Sequence, residues 1–345
     1  MKPINIVLLS FGMSGRVFHA PFIDMHPGLT LYGVLERTKQ ESLQFYPTIK
    51  IFRSLTDVLV DPNVDLVVVN TPNNTHYEFT KKVLEAGKHA VVEKAFTTTV
   101  AEAVELAALS SQKGLLLSVY QNRRYDSDFN TVKQVIESGV LGKIHEAEFH
   151  YDRYRYELSP KLHKEIPGPG AGILNDLGPH LIDQALSLFG MPSQIFADIR
   201  TIRPDSKVDD CFTIIFYYPD KRVTLKSSIL VREPLPASIV HGIKGTFIKN
   251  RADVQEAALI ANIKPTISNW GVEPASEQGL LHTEIDGKIV RNKVPSAVGN
   301  YYAYYEGIYD ALIQKTNPPV TAHDGINVMK IIEAAQSSNG NLIQL

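Results

Sequence analysis

The first third of the chain alternates short, nearly continuous apolar runs with segments of helical periodicity, and this alternation restricts the fold more than any other feature. Ile4 to Leu9, Leu29 to Leu35, Leu66 to Asn70, His89 to Glu93 and Leu115 to Tyr120 are such runs. Strands of that kind are buried on both faces, as in a parallel sheet covered by helices. Between them, Gly15 to Met25, Thr75 to Ala86 and Thr99 to Lys113 carry apolar positions at helical spacing. Thr75 is expected as an N-cap, Gly87 as the residue just past a helix end, and Thr98 or Thr99 as another N-cap. Strand and helix repeated this way, with right-handed crossovers, predict a doubly wound α/β domain.

After about Gln121 the pattern changes. A helix is predicted around Asp128 to Glu137, then a long alternating strand, Ile144 to Tyr156. The Gly/Pro-rich loop Pro167-Gly168-Pro169-Gly170-Ala171-Gly172 and a helix from Gly178 to Phe189 follow. Gln194 to Ile202, Cys211 to Tyr218, Arg222 to Leu230 and Ile239 to Lys249 are strand candidates separated by short turns, as in a mostly antiparallel open sheet. Asp286-Gly287 suits a type I′ hairpin turn. Helices at Tyr301 to Gln314 and Asp324 to Ser337 close the sequence. A chain of 345 residues exceeds what one core supports, so two domains are expected, 1–122 and 123–345.

Composition removes several function classes. The formal charge is −2 and the basic clusters are pairs such as Lys81-Lys82 and Arg123-Arg124, too few to neutralise a run of phosphates, so no nucleic-acid partner is expected. Met1-Lys2-Pro3-Ile4-Asn5-Ile6 runs straight into a strand without the basic region or cleavage site of a secretory leader. No stretch approaches the roughly 20 apolar residues of a membrane span. The single cysteine, Cys211, excludes an intrachain disulfide and reads as a small buried hydrophobe, which fits a cytoplasmic protein. HExxH, paired CxxC and EF-hand patterns are missing from the sequence, so no metal site is expected.

The first strand ends in Ser10-Phe11-Gly12-Met13-Ser14-Gly15, a G-x-G-x-x-G pattern with Ser10 in the first glycine's place. Gly12 would let backbone approach a pyrophosphate, Gly15 would let helix pack on strand, and the helix N-terminus would supply N–H groups to phosphate. Glu36 closes the second strand, where an acidic residue takes the ribose hydroxyls of NAD. Arg37, Thr38 and Lys39 follow and could instead hold the extra phosphate of NADP, or merely form a solvated helix start. The cofactor is therefore NADP or NAD, with the preference open.

Three segments resemble the Gfo/Idh/MocA oxidoreductases. They are Asp61-Pro62-Asn63-Val64-Asp65 running through Asn70-Thr71-Pro72-Asn73-Asn74-Thr75-His76, then Glu85-Ala86-Gly87-Lys88-His89 through Glu93-Lys94, and Gly172-Ile173-Leu174-Asn175-Asp176-Leu177-Gly178-Pro179-His180. Within the family, Ser118 to Arg124, Tyr151-Asp152-Arg153-Tyr154-Arg155 and Pro319 to Asn327 look most like NADP-dependent scyllo-inositol dehydrogenases. The resemblance implies a Rossmann domain, a C-terminal α+β domain on a large, mostly antiparallel open sheet, and assembly into a homodimer or homotetramer through that sheet. It also implies hydride exchange between nicotinamide and a secondary alcohol or ketone of an inositol or related sugar. Gly12, Met13, Ser14, Gly15, Glu36, Arg37, Thr38, Asn70, Thr71, Pro72, Asn73, His76, Glu93, Lys94 and Asn122 are then the cofactor-binding candidates. Two departures stand out: Ser10 in the glycine motif, and Glu93-Lys94-Ala95 where Glu-Lys-Pro is usual, which could loosen the turn carrying the lysine.

Hydride transfer belongs to the cofactor, so the protein must place the carbinol carbon and manage its hydroxyl proton. Lys94 follows a predicted strand at its carboxyl end, where doubly wound sheets bind ligands, and its ammonium can polarise a substrate oxygen. Asp176 and His180 are four residues apart and would share a face of one helical turn. His180 suits general acid or base work, while Asp176 could bond substrate or orient Lys94; a capping aspartate and a core histidine are the ordinary alternative. Spacing permits the set Lys94, Asp176 and His180, and the resemblance assigns it. Arg123 and Tyr154 join these three as substrate-binding candidates, with Arg155, Asp183 and Gln184 nearby in sequence. His19 and His76 match cofactor-proximal positions or simply pack helices. Two other functions stay open: a dinucleotide-binding regulator without turnover, and a reductase of a biliverdin-like or amino-sugar substrate.

Overall fold

A computed structural model describes residues 3–159, 165–265, 270–338 and 340–345. Among these residues the strands form two sheets. The first contains β1 (Ile4–Leu8), β2 (Leu29–Leu35), β3 (Lys50–Phe52), β4 (Leu66–Val69), β5 (His89–Glu93) and β6 (Leu117–Tyr120). Its order is β3-β2-β1-β4-β5-β6 and all its pairings are parallel. Val67, Val68 and Val69 of β4 and Val91 and Val92 of β5 are fully buried, as continuous apolar runs require. The order reverses between β1 and β4. In such sheets the crevice at the carboxyl ends of those two strands is where ligands bind.

Helix ends were partly legible. Thr99 caps the helix Val100–Lys113 in a reciprocal box with Glu102, and Gly114 ends it at φ +63°. Gly87 follows the helix His76–Glu85 at φ +76°. Thr75 holds the N-cap position of that helix, but its hydroxyl is spent elsewhere, donating to the Pro72 carbonyl at 2.6 Å. The segment read as one helix from Gly15 to Met25 opens as a π-helical turn, Gly15–His19, before the α-helix Ala20–Met25.

The second sheet contains β7 (Ile144–His150), β8 (Gln194–Arg200), β9 (Cys211–Tyr217), β10 (Arg222–Ser228), β11 (Ser238–Gly242), β12 (Gly245–Lys249), β13 (Gly279–Ile285), β14 (Lys288–Val294) and β15 (Leu342–Gln344). The order is β14-β13-β12-β11-β7-β10-β9-β8-β15, antiparallel except where β7 meets β10. The run expected as one strand from Ile239 to Lys249 is a hairpin instead. At the end of β11 the chain passes close to the segment before β7, and a Cβ on Gly242 would lie 2.2 Å from the Leu141 carbonyl oxygen. The strand expected to reach Tyr156 stops at His150. Asp286 and Gly287 both take positive φ in the β13–β14 turn, as the sequence predicts. The helix Gly178–Phe189 lies against β10 and β7 through its buried Leu181, Ile182 and Ala185.

The chain divides into two units. One comprises Met1–Asn122, Gln255–Trp270 and Asn300–Ile326; the other comprises Arg123–Val254, Gly271–Gly299 and Asn327–Leu345. The first thus recruits two segments that the sequence reading assigned to the C-terminal domain. Among them is the helix Tyr302–Gln314, whose Tyr304 and Tyr305 are fully buried. No described helix is long and apolar enough to cross a membrane.

Candidate active site

At the carboxyl end of β1 the chain turns sharply, and Ser10 explains how it does so without the first glycine. The Ser10 N–H donates to Asn70 Oδ1 at 3.0 Å, Asn70 Nδ2 returns a bond to the Ser10 carbonyl at 2.8 Å, and the Ser10 hydroxyl accepts from Gly12 N–H at 3.2 Å. Asn70, at the end of β4, therefore staples the two strands that flank the switch point. A Cβ on Gly15 would sit 2.2 Å from the Ser10 oxygen and 2.9 Å from Asn70 Nδ2, so only glycine allows this approach. A Cβ on Gly12 would meet nothing nearer than Ser10 Oγ at 3.5 Å. Gly12 and Met13 are exposed and Ser14 is half-buried, leaving backbone at the start of the helical turn accessible from outside.

Lys94 leaves the end of β5 half-buried, in a turn held from several sides. The preceding Glu93 accepts from the Ser14 hydroxyl, from His19 Nε2 at 3.0 Å and from the Lys94 N–H at 3.1 Å. Burial would raise the Glu93 carboxyl, but His19, Ser14 and the Lys94 charge outweigh it and hold it at about 2. His19, fully buried, contacts the Tyr305 hydroxyl through Nδ1 at 2.6 Å. A chain of contacts thus runs from Tyr305 through His19 and Glu93 to the glycine turn. On the other side, His76 reaches the Ala95 carbonyl with Nδ1 at 2.8 Å and the Thr71 carbonyl with Nε2 at 2.9 Å. Burial lowers the His76 pKa against these two carbonyls, which pull the other way. The Lys94–Ala95 peptide is cis, and Ala95 is 1% exposed. Alanine in the usual proline position leaves the turn tied down by His76.

In the second unit, Asp176 and His180 do not share one helix. Asp176 ends the short helix Ile173–Asp176 and His180 lies in the first turn of the next, the two meeting at Leu177. The short helix is started by Gly172, at φ +87°, where a Cβ would fall 1.8 Å from Asp209 Oδ1. Asp209 caps it, accepting from Leu174 N–H at 2.7 Å through its carboxylate and from Ile173 N–H at 2.9 Å through its carbonyl. Burial raises the Asp209 pKa. Asp183, one turn beyond His180, takes Arg124 in a two-pronged bond, 2.7 Å on each oxygen. Gln184 donates to the Arg123 carbonyl at 2.9 Å. These two residues are therefore spent on the 123–124 backbone and side chains.

Tyr151 is the residue that sequence reasoning passed over. It follows β7, is 7% exposed, and its ring centroid lies 6.3 Å from that of His180. The guanidinium carbons of Arg251, Arg153 and Arg123 stand 4.1, 4.9 and 5.9 Å from the ring centroid, and Arg153 donates to its hydroxyl at 3.1 Å. Burial alone would raise the phenol; the three cations outweigh it and lower its pKa. A tyrosine at a strand end carries no signal of this, because two of its cations come from residues 28 and 100 positions away. Of the other expected substrate residues, Arg123 also pairs with Asp126 at 3.4 Å, Tyr154 is exposed and stacked under Arg232, and Arg155 is exposed.

The family's NAD-binding Rossmann-fold profile matches residues 4–121, and the profile of its C-terminal α/β domain matches residues 133–341. The chain belongs to the Gfo/Idh/MocA oxidoreductase family. It is 39% identical over 331 residues to the uncharacterized oxidoreductase YdgJ of Escherichia coli, covering 96% of this chain and 94% of that protein. It is 37% identical over 336 residues to scyllo-inositol 2-dehydrogenase (NADP(+)) IolW of Bacillus subtilis, covering 97% and 94%. An oxidoreductase from Bacillus cereus of known crystal structure is 31% identical and superposes with a TM-score of 0.92, over 99% of this chain and 98% of that one. A family member of this kind takes a nicotinamide dinucleotide. The residues here fit one: open backbone at Gly12, glycine forced at Gly15, and a helical turn starting beside the sheet's switch point.

Several expected cofactor contacts prove to have work inside the fold. Asn70, Glu93 and His76 hold the glycine turn and the Lys94 turn together, and the Thr71 and Thr75 hydroxyls bond each other at 2.6 Å. Pro72 is exposed and Asn73 half-buried in the 3-10 turn Asn73–Thr75 after β4, while Asn122 is buried at the start of another after β6. Glu36 differs most from expectation. Its carboxylate faces inward, accepting from Glu41 N–H at 2.9 Å, from Ser42 N–H at 3.2 Å and from the Ser42 hydroxyl, whereas Arg37 and Thr38 are exposed.

Proposed function

We propose that this oxidoreductase interconverts a secondary alcohol and a ketone on an inositol or a related polyol or sugar, with NADP or NAD as the hydride partner. The observation that carries the reading is Lys94, set at the carboxyl end of β5 and braced by Glu93 and His76, in a chain that also retains Asp176 and His180. The likeness to scyllo-inositol 2-dehydrogenase (NADP(+)) IolW over almost the whole chain supports the substrate class. The nicotinamide supplies the hydride acceptor or donor; the rest falls to side chains. The Lys94 ammonium stabilises negative charge on the reacting oxygen, and His180 takes or returns the hydroxyl proton. Asp176 bonds a substrate hydroxyl. Tyr151, beside His180, offers a second polar group to a polyhydroxylated ligand.

A panel of inositols, sugars and sugar acids with each dinucleotide, read by absorbance of the reduced nicotinamide, tests this. Turnover of a cyclic polyol is expected. Dinucleotide binding with no turnover on any of them would instead favour a binding regulator, and turnover confined to another class would reassign the substrate.

A further inference from the structure

Past the end of β7 the chain keeps an extended course beside β10, and this fixes which side chains share a face with Tyr151. The Tyr151 N–H donates to the Lys226 carbonyl and the Arg153 N–H to the Ser228 carbonyl, each at 2.9 Å, and the Arg153 carbonyl accepts from Val231 N–H at 2.9 Å. Alternation along an extended segment puts Tyr151 and Arg153 on one face and Asp152 on the other. Asp152 is engaged there: Oδ1 accepts from Ser228 N–H at 2.9 Å, and Oδ2 stands 3.7 Å from His150 Nδ1.

Three guanidiniums surround the Tyr151 ring, and they are not equivalent. Arg123 stands 3.4 Å from Asp126, while Arg251 lies 3.6 Å from Asp126 and 3.7 Å from Asp128, so both meet buried carboxyls. Arg153 does not. Among the described residues no carboxylate pairs with it; its side chain bonds the Tyr151 hydroxyl at 3.1 Å and is otherwise exposed. The Tyr151 hydroxyl accepts that bond and keeps its own hydrogen to donate. A guanidinium with a free edge on a braced backbone, next to a phenol donor, matches a planar carboxylate in a two-pronged fit. The same tyrosine ring lies 6.3 Å from that of His180.

We propose that Arg153, backed by Tyr151, determines specificity by binding a carboxylate on the substrate, so that the polyol handled beside His180 is a sugar acid. This rests on the substrate site proposed at His180. Matched pyranoses test it: glucose against glucuronate and galactose against galacturonate, with inositol and glucose 6-phosphate, each titrated calorimetrically into protein saturated with dinucleotide. Where turnover occurs, kcat and KM are measured as well. The wild type is expected to bind a uronate at least about fivefold more tightly than its neutral partner, the value of a charge-assisted contact at a partly exposed site. Arg153→Ala should abolish the difference and Arg153→Lys should keep part of it, as a point charge without the fork, with the change falling on KM rather than kcat. Equal binding within both pairs, tighter binding of the phosphate than of either uronate, or a uronate preference that survives in Arg153→Ala would overturn the inference. Turnover of inositol alongside any of these results would leave the polyol reading standing without it. Binding of none of these compounds would remove both.

Discussion

Gly12 and Gly15 stand three residues apart in one motif, yet the structure gives them opposite jobs, and paired substitutions separate them. In Gly15→Ala the new methyl would lie 2.2 Å from the Ser10 carbonyl oxygen, which is backbone, and 2.9 Å from Asn70 Nδ2. The helical turn must back away from β1. Overpacking of that kind costs about 1–3 kcal/mol, and loosening the two Ser10–Asn70 bonds adds about 1 kcal/mol. A total of about 2–4 kcal/mol lowers Tm by on the order of 3–6 °C in a chain of this length. In Gly12→Val the Cβ meets only Ser10 Oγ at an ordinary 3.5 Å, so stability should stay within about 0.5 kcal/mol of wild type. Its branched side chain would instead fill the space where pyrophosphate must approach. The assay is thermal unfolding with and without NADP. At a concentration about 100 times its Kd, the ligand should stabilise the wild type by about 2.7 kcal/mol, and Gly12→Val should lose that shift. A Gly15→Ala protein as stable as wild type, or a Gly12→Val protein still stabilised by NADP, would refute this division of labour.

Lys94→Ala and His180→Ala should remain folded and lose about 10²-fold or more in kcat, measured on whichever polyol the wild type turns over; near-normal kcat in both would end their assigned roles. Glu93 links stability to pH. Its carboxyl is lowered from the ordinary 4.5 to about 2, so its contribution of roughly 3 kcal/mol is present above pH 4.5 and lost as pH falls toward 2. Denaturant titrations should therefore show a gap between wild type and Glu93→Gln at neutral pH that closes in acid; a gap independent of pH would place the effect elsewhere. Gly172→Ala, forced into φ +87° and against Asp209, should cost about 2 kcal/mol or more and lower kcat by displacing Asp176. A variant with wild-type melting and rate would show that the Asp209 cap does not position that helix.

The parallel sheet was legible because β4 and β5 are unbroken valine-rich runs, a pattern few other settings tolerate. β3 and β15, three residues each, are too short to leave a period. The β11–β12 hairpin was hidden because its turn, Gly242-Ile243-Lys244-Gly245, carries an apolar Ile243 that reads as strand although it is 70% exposed. The place of Lys94 just past the carboxyl end of β5 was readable, since a strand's end is visible in sequence, whereas its role in a site came from the resemblance. The inward turn of Glu36 was not, because it depends on where Ser42 lies after the chain has folded back. Asp176 and His180 have the spacing of one helical turn, yet Leu177 separates the helix Ile173–Asp176 from the helix Gly178–Phe189, and Asp209, which caps the start of the first, lies 33 residues downstream of Asp176.

The contact between His19 and Tyr305 also has a meaning for biosynthesis. His19 and Ser118 are both fully buried, and they are met by Tyr305 and Tyr304, 286 and 186 positions downstream of them. A nascent chain emerging from the ribosome at about 5–20 residues per second would expose the segments of β1 to β6 for many seconds before those tyrosines arrive. Until then Glu93 leans on a histidine with no lid above it, and the glycine turn lacks its last brace. The parallel sheet of this enzyme is therefore synthesised well before the tyrosines that complete its packing.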